Sequence, residues 1–406
     1  MWVSISRGVP IKNPYRPGAA NTPLFLAGRE SQERILRAIL RGAPEIPANY
    51  RITGLRGVGK TVLLKHFEEI TKAELNWAVG RIQLEPRHNR EDAIVGVLHE
   101  LLLDIQAQVS RTESLRQKTE AVITSARSLA TMTFENVTVS LGGFADSKES
   151  NLAADLLETT RIAVKSGRAG LVVMLDEAQV LVDDKDRDGQ HPLSLLVAAI
   201  NTLQEQQVPI ALVLCGLPTL IANLLKARTY SERMFRGEEV GRLTRDQTRE
   251  AFLRPLDDTD RVANEDLVNA VMDDVEGYPY FVQLWGAELW DEAVDVSSNV
   301  LTADLLKGLR EAIFKRLDHD FYSPRIDSLT PAEQDLLMLT GDCDYPPLRT
   351  ADIHKVTSRK QGNVNVLMGR LADQGVVYRL QKGLYEYTAP KFHDYLIRRK
   401  SRTVWT

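Results

Sequence analysis

Two patterns of apolar positions follow one another along the chain, and each predicts a different kind of element. Short and mostly apolar stretches surround Tyr50 and Ile52, fill residues 171–175, and recur at 209–217. Such runs are typical of strands buried on both faces of a parallel sheet. The segment from Leu193 to Leu203 has helical spacing and joins the second run to the third. The order strand, helix, strand predicts one parallel α/β sheet.

The last 80 residues carry a different pattern, of short amphipathic helices followed by a hairpin. Thr330 and Glu333 form a capping box with proline at the first helical position, so a helix begins there and buries Leu336, Leu337 and Leu339. Further helices are predicted over 350–356 and over 363–374, the latter ending at Gly375. A hairpin turning at Lys382–Gly383 follows. Three helices and a hairpin predict a winged helix.

The remaining regions are less informative. Between Ser110 and Asn151 clear periodicity is lost, although 134–144 alternates as a hairpin would. This stretch is either an insertion that touches DNA or a neighbouring subunit, or a simple surface hairpin. No apolar run approaches the ~18 residues of a membrane span, and the N-terminus has no apolar block of a signal peptide. Two cysteines are too few for a disulfide framework or a zinc site. We therefore expect a cytoplasmic protein without a membrane partner.

Charge is distributed unevenly. The 406 residues have 43% hydrophobic content and a formal net charge of -4, which gives no overall attraction to nucleic acid. From Phe321 to the end there are 13 Lys and Arg against 9 Asp and Glu, a balance of +4, so the first 320 residues stand at -8. A nucleic-acid surface is therefore expected at the C-terminus if anywhere.

A glycine loop, Gly54–Thr61, stands between the first strand and a helix that carries Val62, Leu63 and Phe67. It fits the pattern G-x-x-x-x-G-K-[ST]. Glycines let successive backbone N–H groups point at phosphate oxygens, and the positive end of the following helix adds to the attraction. The nucleotide-binding residues predicted here are Gly54, Leu55, Arg56, Gly57, Val58, Gly59, Lys60, Thr61 and Val62. Lys60 would reach the β- and γ-phosphates of ATP, and the Thr61 hydroxyl would ligate Mg²⁺.

A second strand supplies the carboxylates that such a loop requires. Five apolar residues, Leu171–Leu175, end in Asp176 and Glu177, and the carboxyl ends of parallel strands are where α/β sheets bind ligands. Asp176 is predicted to hold Mg²⁺ through water. Glu177 is predicted to orient and deprotonate the attacking water. An apolar strand followed by acids is common, but its pairing with the glycine loop makes an ATPase the strong interpretation.

Together these motifs resemble the ATPases of the AAA+ and STAND groups, particularly the relatives of origin-recognition and transposition-helper ATPases. Phe25–Glu30 is similar to the family's N-terminal motif, which implies that Arg29 lies near the adenine. The run Asp176-Glu177-Ala178-Gln179 matches the family's "DEAQ" form of the acidic strand. The stretch 214–218 resembles the segment that senses the γ-phosphate. The family usually has Asn or Thr as the sensing residue, and only Cys215 or Thr219 is available for that role here.

The resemblance also implies several more distant site residues. Ser231–Phe235 looks like the segment with an arginine finger that one subunit inserts beside its neighbour's γ-phosphate. Arg233 is the expected finger, and Arg228 and Arg236 compete for the role. Origin-recognition ATPases carry a further sensing arginine in the region that corresponds to Gly277–Gln283, whereas this chain has Tyr280 and Gln283 there. This difference favours a resemblance to the STAND group and predicts slow hydrolysis.

The resemblance implies two further contacts to the nucleotide, one to its base and one to its phosphates. In STAND relatives a G-x-P segment places its proline against the adenine, which makes Pro279 a candidate contact. His393, in the helix after the hairpin, resembles the histidine by which STAND switches contact ADP. A helix-capping or core histidine is the alternative for His393.

The predicted winged helix offers donors for duplex DNA. The candidate residues on the third helix, its approach and the hairpin are Arg359, Lys360, Asn363, Arg379 and Lys382. Such side chains can meet phosphates and base edges in a major groove. Winged helices also serve as packing modules, so a protein partner remains the alternative.

These observations combine into one predicted organisation: an N-terminal extension (1–27), an ATPase core (28–225) with a hairpin insertion (110–151), a helical lid (226–320) and a winged helix (321–406). The predicted function is an ATP-driven switch that binds ATP, ADP and Mg²⁺, forms homo-oligomers and acts with DNA. A STAND-like signalling or defence switch with a protein partner and slow hydrolysis is the alternative. A nucleotide-binding structural protein without turnover is a third.

Overall fold

The computed structural model describes residues 12–18, 21–109, 131–134, 137–140, 147–183, 189–227 and 231–403. The chain divides into two compact units. The sheet unit comprises Arg29–Gly54 and Lys60–Val240. The C-terminal unit comprises Gly241–Thr406 together with Met1–Gly28 and Leu55–Gly59.

The sheet unit alternates strands and helices. Its elements, in chain order, are α1 (Glu30–Gly42), β1 (Asn49–Thr53), α2 (Lys60–Ala73), β2 (Ala78–Gln83), α3 (Glu91–Val109), β3 (Thr131–Phe134), β4 (Val137–Ser140), α4 (Ser147–Lys165), β5 (Leu171–Asp176), α5 (Pro192–Glu205), β6 (Ile210–Gly216), α6 (Thr219–Ala227), α7 (Ser231–Met234) and β7 (Phe235–Glu239). This order contains the strand, helix and strand succession that the sequence predicts.

Five parallel strands form the sheet, in the order β2-β5-β6-β1-β7. The second and third apolar runs of the sequence are the adjacent strands β5 and β6, and every residue of both is buried. Helices α3, α4 and α5 contribute Leu98, Leu156 and Leu196 to the core around these strands. Burial of both faces explains why these strands are continuous apolar runs rather than alternating ones.

Two features lie outside the main pattern of the sheet unit. β3 and β4 pair antiparallel, with Phe134 opposite Val137, so a hairpin is present but begins at Thr131, before the alternating stretch 134–144. Among the described strands, β7 is at the edge and pairs with β1, so the sheet continues to Glu239, past the core boundary expected at residue 225. Only Phe235 is buried in β7, and a strand with so little apolar content leaves no buried-strand signature in the sequence.

The C-terminal unit is mainly helical. Its elements are α8 (Arg245–Leu253), β8 (Val262–Ala263), α9 (Glu265–Val275), α10 (Pro279–Asp295), β9 (Val300–Leu301), α11 (Ala303–Leu317), α12 (Ser323–Asp327), α13 (Pro331–Leu339), β10 (Leu348–Arg349), α14 (Thr350–Lys355), α15 (Gln361–Asp373), β11 (Val377–Gln381), β12 (Leu384–Tyr387) and α16 (Phe392–Thr403). Among the described residues, no helix is long and apolar enough to cross a membrane.

The C-terminal module, residues 331–403, agrees closely with its sequence pattern. The capping box forms as predicted, because the backbone N–H of Thr330 donates to the Glu333 carboxylate (2.9 Å). β11 and β12 pair antiparallel on either side of Lys382–Gly383, where Gly383 has a φ of +77°. β10 adds a third strand beside β12. The module therefore consists of helices α13, α14 and α15 followed by a hairpin, as expected.

Candidate nucleotide site

Both ends of the glycine loop lie at the carboxyl edge of the sheet. β1 ends at Thr53, and the next backbone N–H, of Gly54, donates to the carbonyl of Gly216 at the end of β6 (3.2 Å). α2 begins at Lys60, whose side chain is buried. The predicted succession of strand, loop and helix is present. The N-terminus of α2 therefore offers the partial positive charge that attracts phosphate.

The hydroxyl of Thr61 and the carboxylate of Asp176 meet at this edge. Thr61 Oγ1 donates to Asp176 Oδ2 over 2.6 Å, although 115 positions separate the two residues. The other carboxylate oxygen of Asp176 accepts the backbone N–H of Glu177 (2.9 Å), and the Asp176 side chain is buried. Loop and acidic strand, which the sequence paired only by pattern, are therefore in direct contact.

This pair fits a bound magnesium ion. Mg²⁺ prefers hard oxygen ligands and is usually held by one or two protein groups, with water and substrate phosphates completing its shell. A hydroxyl and a carboxylate that already touch are two such oxygens, and the burial of Asp176 together with this contact favours a preformed site. Thr61 and Asp176 are therefore the residues that would hold the ion.

The side chain of Glu177 is held by Gln179, two positions along the chain. Gln179 Nε2 donates to Glu177 Oε2 (2.5 Å), and Gln179 Oε1 accepts the backbone N–H of Leu217, just past β6 (3.0 Å). Asn223 Nδ2 donates to the Gln179 backbone carbonyl (3.0 Å). Glu177 itself has a φ of +55°, a left-handed conformation that costs a non-glycine residue on the order of 1 kcal/mol. The glutamate is thus fixed through its backbone and its carboxylate.

The two residues considered for sensing the γ-phosphate differ in environment. Cys215 lies inside β6 and is fully buried; this burial, with the nearby charge of Asp176, raises the pKa of its thiol. The thiol therefore stays protonated and behaves as a small apolar side chain. Thr219 opens α6 and is half-buried. Of the two, Thr219 keeps a polar group available near the surface.

The arginines named from the sequence are placed as follows. Arg29 precedes α1 and is buried, and this burial lowers the pKa of its guanidinium. Arg233 lies on α7 and is exposed, and Arg236 is exposed on the edge strand β7. Arg228 lies outside the described residues. Two of the three finger candidates are therefore on the surface of the sheet unit.

Residues Leu55–Gly59 of the glycine loop are bonded within the C-terminal unit. The backbone N–H of Arg56 donates to the carbonyl of Thr388 (2.9 Å), and the N–H of Tyr280 donates to the carbonyl of Gly57 (3.3 Å). Gly57 and Gly59 have φ values of +80° and +89°, a conformation that favours glycine. The middle of the loop is thus held by the start of α10 and by the residue after β12.

Pro279 and His393 occupy different settings in the C-terminal unit. Pro279 is the first residue of α10, where the fixed φ of proline suits a helix start. His393 is 5% exposed within the C-terminal module, and its Nε2 lies 3.1 Å from the carbonyl of Cys343. Its ring packs against Tyr345 and Tyr387, at centroid distances of 5.2 and 6.4 Å. These contacts favour the core-histidine interpretation over a phosphate contact.

The five residues expected to face DNA are mostly exposed. Lys360 and Asn363 are exposed at the start of α15, and Lys382 is exposed in the hairpin turn. Arg379 is exposed, and its guanidinium donates to Tyr385 Oη (2.8 Å). Arg359 is half-buried, with its guanidinium 3.5 Å from the Asp335 carboxylate. Lys360, Asn363 and Lys382 are therefore the most accessible of the set.

Comparison with known proteins identifies the family of part of the chain. Residues 26–213 match the family model described as an AAA ATPase domain, and residues 319–396 match a domain of unknown function, DUF8462. No curated protein matches the sequence. Residues 26–213 are therefore a P-loop ATPase domain of the AAA+ class, as the motifs predicted, and the fold is similar to that of an origin-recognition protein.

Two solved structures illustrate the fold. The ORC2 protein of Aeropyrum pernix, solved as ADPNP-ADP complexes, superposes with a TM-score of 0.54 at 13% identity, covering 94% of this chain and 97% of that one. The Walker-type ATPase PABY2304 of Pyrococcus abyssi gives a TM-score of 0.51 at 16% identity, covering 92% and 96%. Identities this low show a common fold. The match of residues 26–213 to the AAA ATPase domain supports ATPase activity.

Sequence reasoning missed the residues that position the site. Gln179 is visible in the sequence only as the last letter of the acidic motif, and nothing there indicates that its amide joins Glu177 to Leu217. The bonds from Thr388 and Tyr280 to the loop depend on backbone groups that carry no sequence signal. The position of Gln179, two residues after the predicted base Glu177, is the one clue that the sequence offers.

Proposed function

We propose that the protein is a molecular switch of the AAA+/STAND type that binds ATP with Mg²⁺ and hydrolyses it. The observation that carries this proposal is the contact between Thr61 and Asp176, with Glu177 immediately beyond it at the end of β5. A hydroxyl, a buried carboxylate and a second, half-buried carboxylate at the carboxyl edge of a parallel sheet are the groups that phosphoryl transfer to water requires.

Each residue has a separate role in this scheme. Backbone N–H groups of the glycine loop and the Lys60 ammonium bind phosphate oxygens, and Glu177 accepts the proton of the attacking water. Gln179 restricts the rotation of the Glu177 carboxylate through its 2.5 Å hydrogen bond. When bound, Mg²⁺ neutralises phosphate charge. Arg29 and Pro279 remain the proposed contacts to the base, and the proposed phosphate contact of His393 would require it to leave its bond to Cys343.

Assembly and DNA binding complete the proposal. An exposed Arg233 is suited to act as a finger on the γ-phosphate of a neighbouring copy, where a cation can raise the rate by ~10³ or more. We further propose that the C-terminal module is a winged helix whose Lys360, Asn363 and Lys382 contact duplex DNA. The alternation of nucleotide states would then change how copies assemble on DNA.

The first experiment measures ATP turnover with and without duplex DNA for the wild type and for Glu177→Gln. Mass photometry reports assembly in the same samples. Loss of turnover in the variant, with ATP binding retained, supports Glu177 as the base. Glu69→Gln is the matched control, because Glu69 is 74% exposed on α2. If Glu177→Gln turns over as fast as the control, the assigned base is wrong.

A second experiment separates DNA handling from signalling. A variant with Lys360→Ala and Lys382→Ala should bind duplex DNA more weakly, with a shallower dependence on salt, because two phosphate-binding cations are lost. Lys307→Ala is the control, since Lys307 is 80% exposed on α11. A monomer that retains ADP tightly and ignores DNA would instead favour the signalling switch with a protein partner.

A further inference from the structure

An aromatic and cationic cluster borders the middle of the glycine loop within the C-terminal unit. Tyr280 and Phe321 stack with their ring centroids 5.3 Å apart, and the guanidinium of Arg325 lies over the Phe321 ring at 4.2 Å. A methyl group placed on Gly57 would lie 3.6 Å from Tyr280 Cβ and 3.9 Å from Phe321 Cζ. Phe321 therefore contacts the Arg325 guanidinium and also borders the loop at Gly57.

This cluster holds two positive charges and, among the described residues, no negative partner for either. Neither the Arg56 nor the Arg325 guanidinium has an ion pair or a hydrogen bond there. Burial, followed by the positive charge of Arg56, lowers the pKa of Arg325 to about 10, so it remains charged at neutral pH. Arg325 is therefore a partly desolvated cation close enough to a second cation to be destabilised by it.

The acidic residues near Arg325 in sequence are engaged elsewhere. Asp318 pairs with Arg398 (2.6 Å), and Asp327 lies 3.6 Å from Arg399. Asp320 lies 2.7 Å from His319. A charge that is partly removed from water without a partner is costly. Such a cation is therefore a candidate for binding an anion.

We propose that Arg325 is a phosphate-binding residue, which together with Arg56 contacts the phosphates of a nucleotide bound by Leu55–Gly59. This inference rests on the proposed ATP binding and adds to it a cation from outside the glycine-loop motif. A guanidinium offers several N–H donors in one plane, the geometry that suits phosphate oxygens. Its position over Phe321 restricts its rotamers before the phosphate arrives, so less entropy is lost on binding.

A purely structural role for Arg325 predicts different behaviour. If the residue served only to pack on Phe321, its removal would lower the stability of the nucleotide-free protein and leave nucleotide affinity unchanged. If it binds phosphate, its removal relieves the repulsion from Arg56 in the free protein and weakens the complex instead. The two roles therefore separate in one pair of measurements.

The test measures ATP and ADP affinity by isothermal titration calorimetry on the full chain, with Mg²⁺, at two salt concentrations. The variants are Arg325→Gln and Arg325→Lys. Arg261→Gln is the matched control, because Arg261 lies over the Trp290 ring at the same 4.2 Å. We expect Arg325→Gln to weaken ATP binding about tenfold or more, with a shallower salt dependence, and Arg325→Lys to weaken it less.

Thermal melting without nucleotide completes the experiment. Arg325→Gln should melt within about 3 °C of the wild type, while the rise in melting temperature caused by ATP becomes smaller. A loss of affinity for ATP alone would assign Arg325 to the γ-phosphate, and an equal loss for ADP would assign it to the phosphates that both share. ATP affinity in Arg325→Gln equal to that of the control overturns the inference. A wild type that binds no ATP overturns the proposed function as well.

Discussion

Replacing Gln179 by glutamate tests the contact that positions the proposed catalytic base. The substitution keeps the length of the side chain but exchanges the amide donor for a second carboxylate. In the structure the amide nitrogen of Gln179 lies 2.5 Å from Glu177 Oε2, so Gln179→Glu places two negatively charged carboxylates next to each other. The bond that its Oε1 accepts from the Leu217 N–H can persist, because a carboxylate also accepts hydrogen bonds.

The size of the effect follows from Coulomb's law. Two unit charges about 2.5 Å apart repel by about 1.7 kcal/mol at the dielectric constant of water and by about 6.6 kcal/mol at an effective value of 20. Both side chains are half-buried, so we expect about 2–4 kcal/mol. Divided by 1.36 kcal/mol for each pKa unit, this repulsion raises the pKa of one carboxyl by about 1.5–3 units.

The pH dependence of stability has a definite sign. The folded variant binds a proton more tightly than the unfolded chain, whose glutamates have a pKa of about 4.3. Its free energy of unfolding must therefore fall as the pH rises through the raised folded pKa, roughly between pH 5 and 8. Gln179→Glu should be about as stable as Gln179→Ala at pH 5 and about 2–4 kcal/mol less stable at pH 8.

Urea denaturation of both variants at the two pH values measures this difference. Gln179→Ala removes both side-chain hydrogen bonds without adding charge, so its pH trend gives the background to subtract. If Gln179→Glu follows Gln179→Ala at both pH values, the close approach of Gln179 to Glu177 is refuted. ATP turnover measured alongside should fall in both variants, because neither restrains the Glu177 carboxylate.

Two further predictions concern the buried Tyr15 and the half-buried Cys343, both away from the sheet edge. Tyr15→Phe should lower the free energy of unfolding by about 1–2 kcal/mol in urea denaturation, because the buried Tyr15 hydroxyl donates to the Phe252 carbonyl (2.5 Å); an effect no larger than that of Tyr345→Phe, at a 56% exposed tyrosine, would contradict it. Burial raises the pKa of Cys343 to about 11, so its alkylation by iodoacetamide at pH 8 should be about 100-fold slower than that of a free cysteine. Mass spectrometry that finds Cys343 labelled at the free-cysteine rate would contradict this.

The parts of the molecule that were predictable are those with local causes. The capping box needs only Thr330 and Glu333 three positions apart, and it forms as expected. The hairpin turn at Lys382–Gly383 follows from glycine's access to positive φ. The pairing of Thr61 with Asp176 is long-range, yet it was predictable because parallel strands share one carboxyl edge, so a motif at the end of one strand meets a motif at the end of its neighbours.

The parts that were missed have causes outside the local sequence. β7 was not expected because an edge strand needs little apolar content, and Phe235 is its one buried residue. Gln179 was recognised as a letter in a motif, but its role depends on the position of Leu217 beyond another strand. A side-chain amide can donate and accept at once, so only the surrounding structure determines which two groups it joins.

The proposed role of Arg325 could not be predicted from the sequence. The count of charges beyond Phe321 shows an excess of four positive residues but does not show which of them lack a partner. Arg398 and Arg399 lie in the same excess, and each has an aspartate within 4 Å, whereas Arg325 faces the charge of Arg56. A charged side chain is available to bind a ligand of opposite charge when no neighbouring side chain neutralises it. The fold determines which side chains are its neighbours. For this reason the cation that we assign to phosphate binding is one that no motif contained.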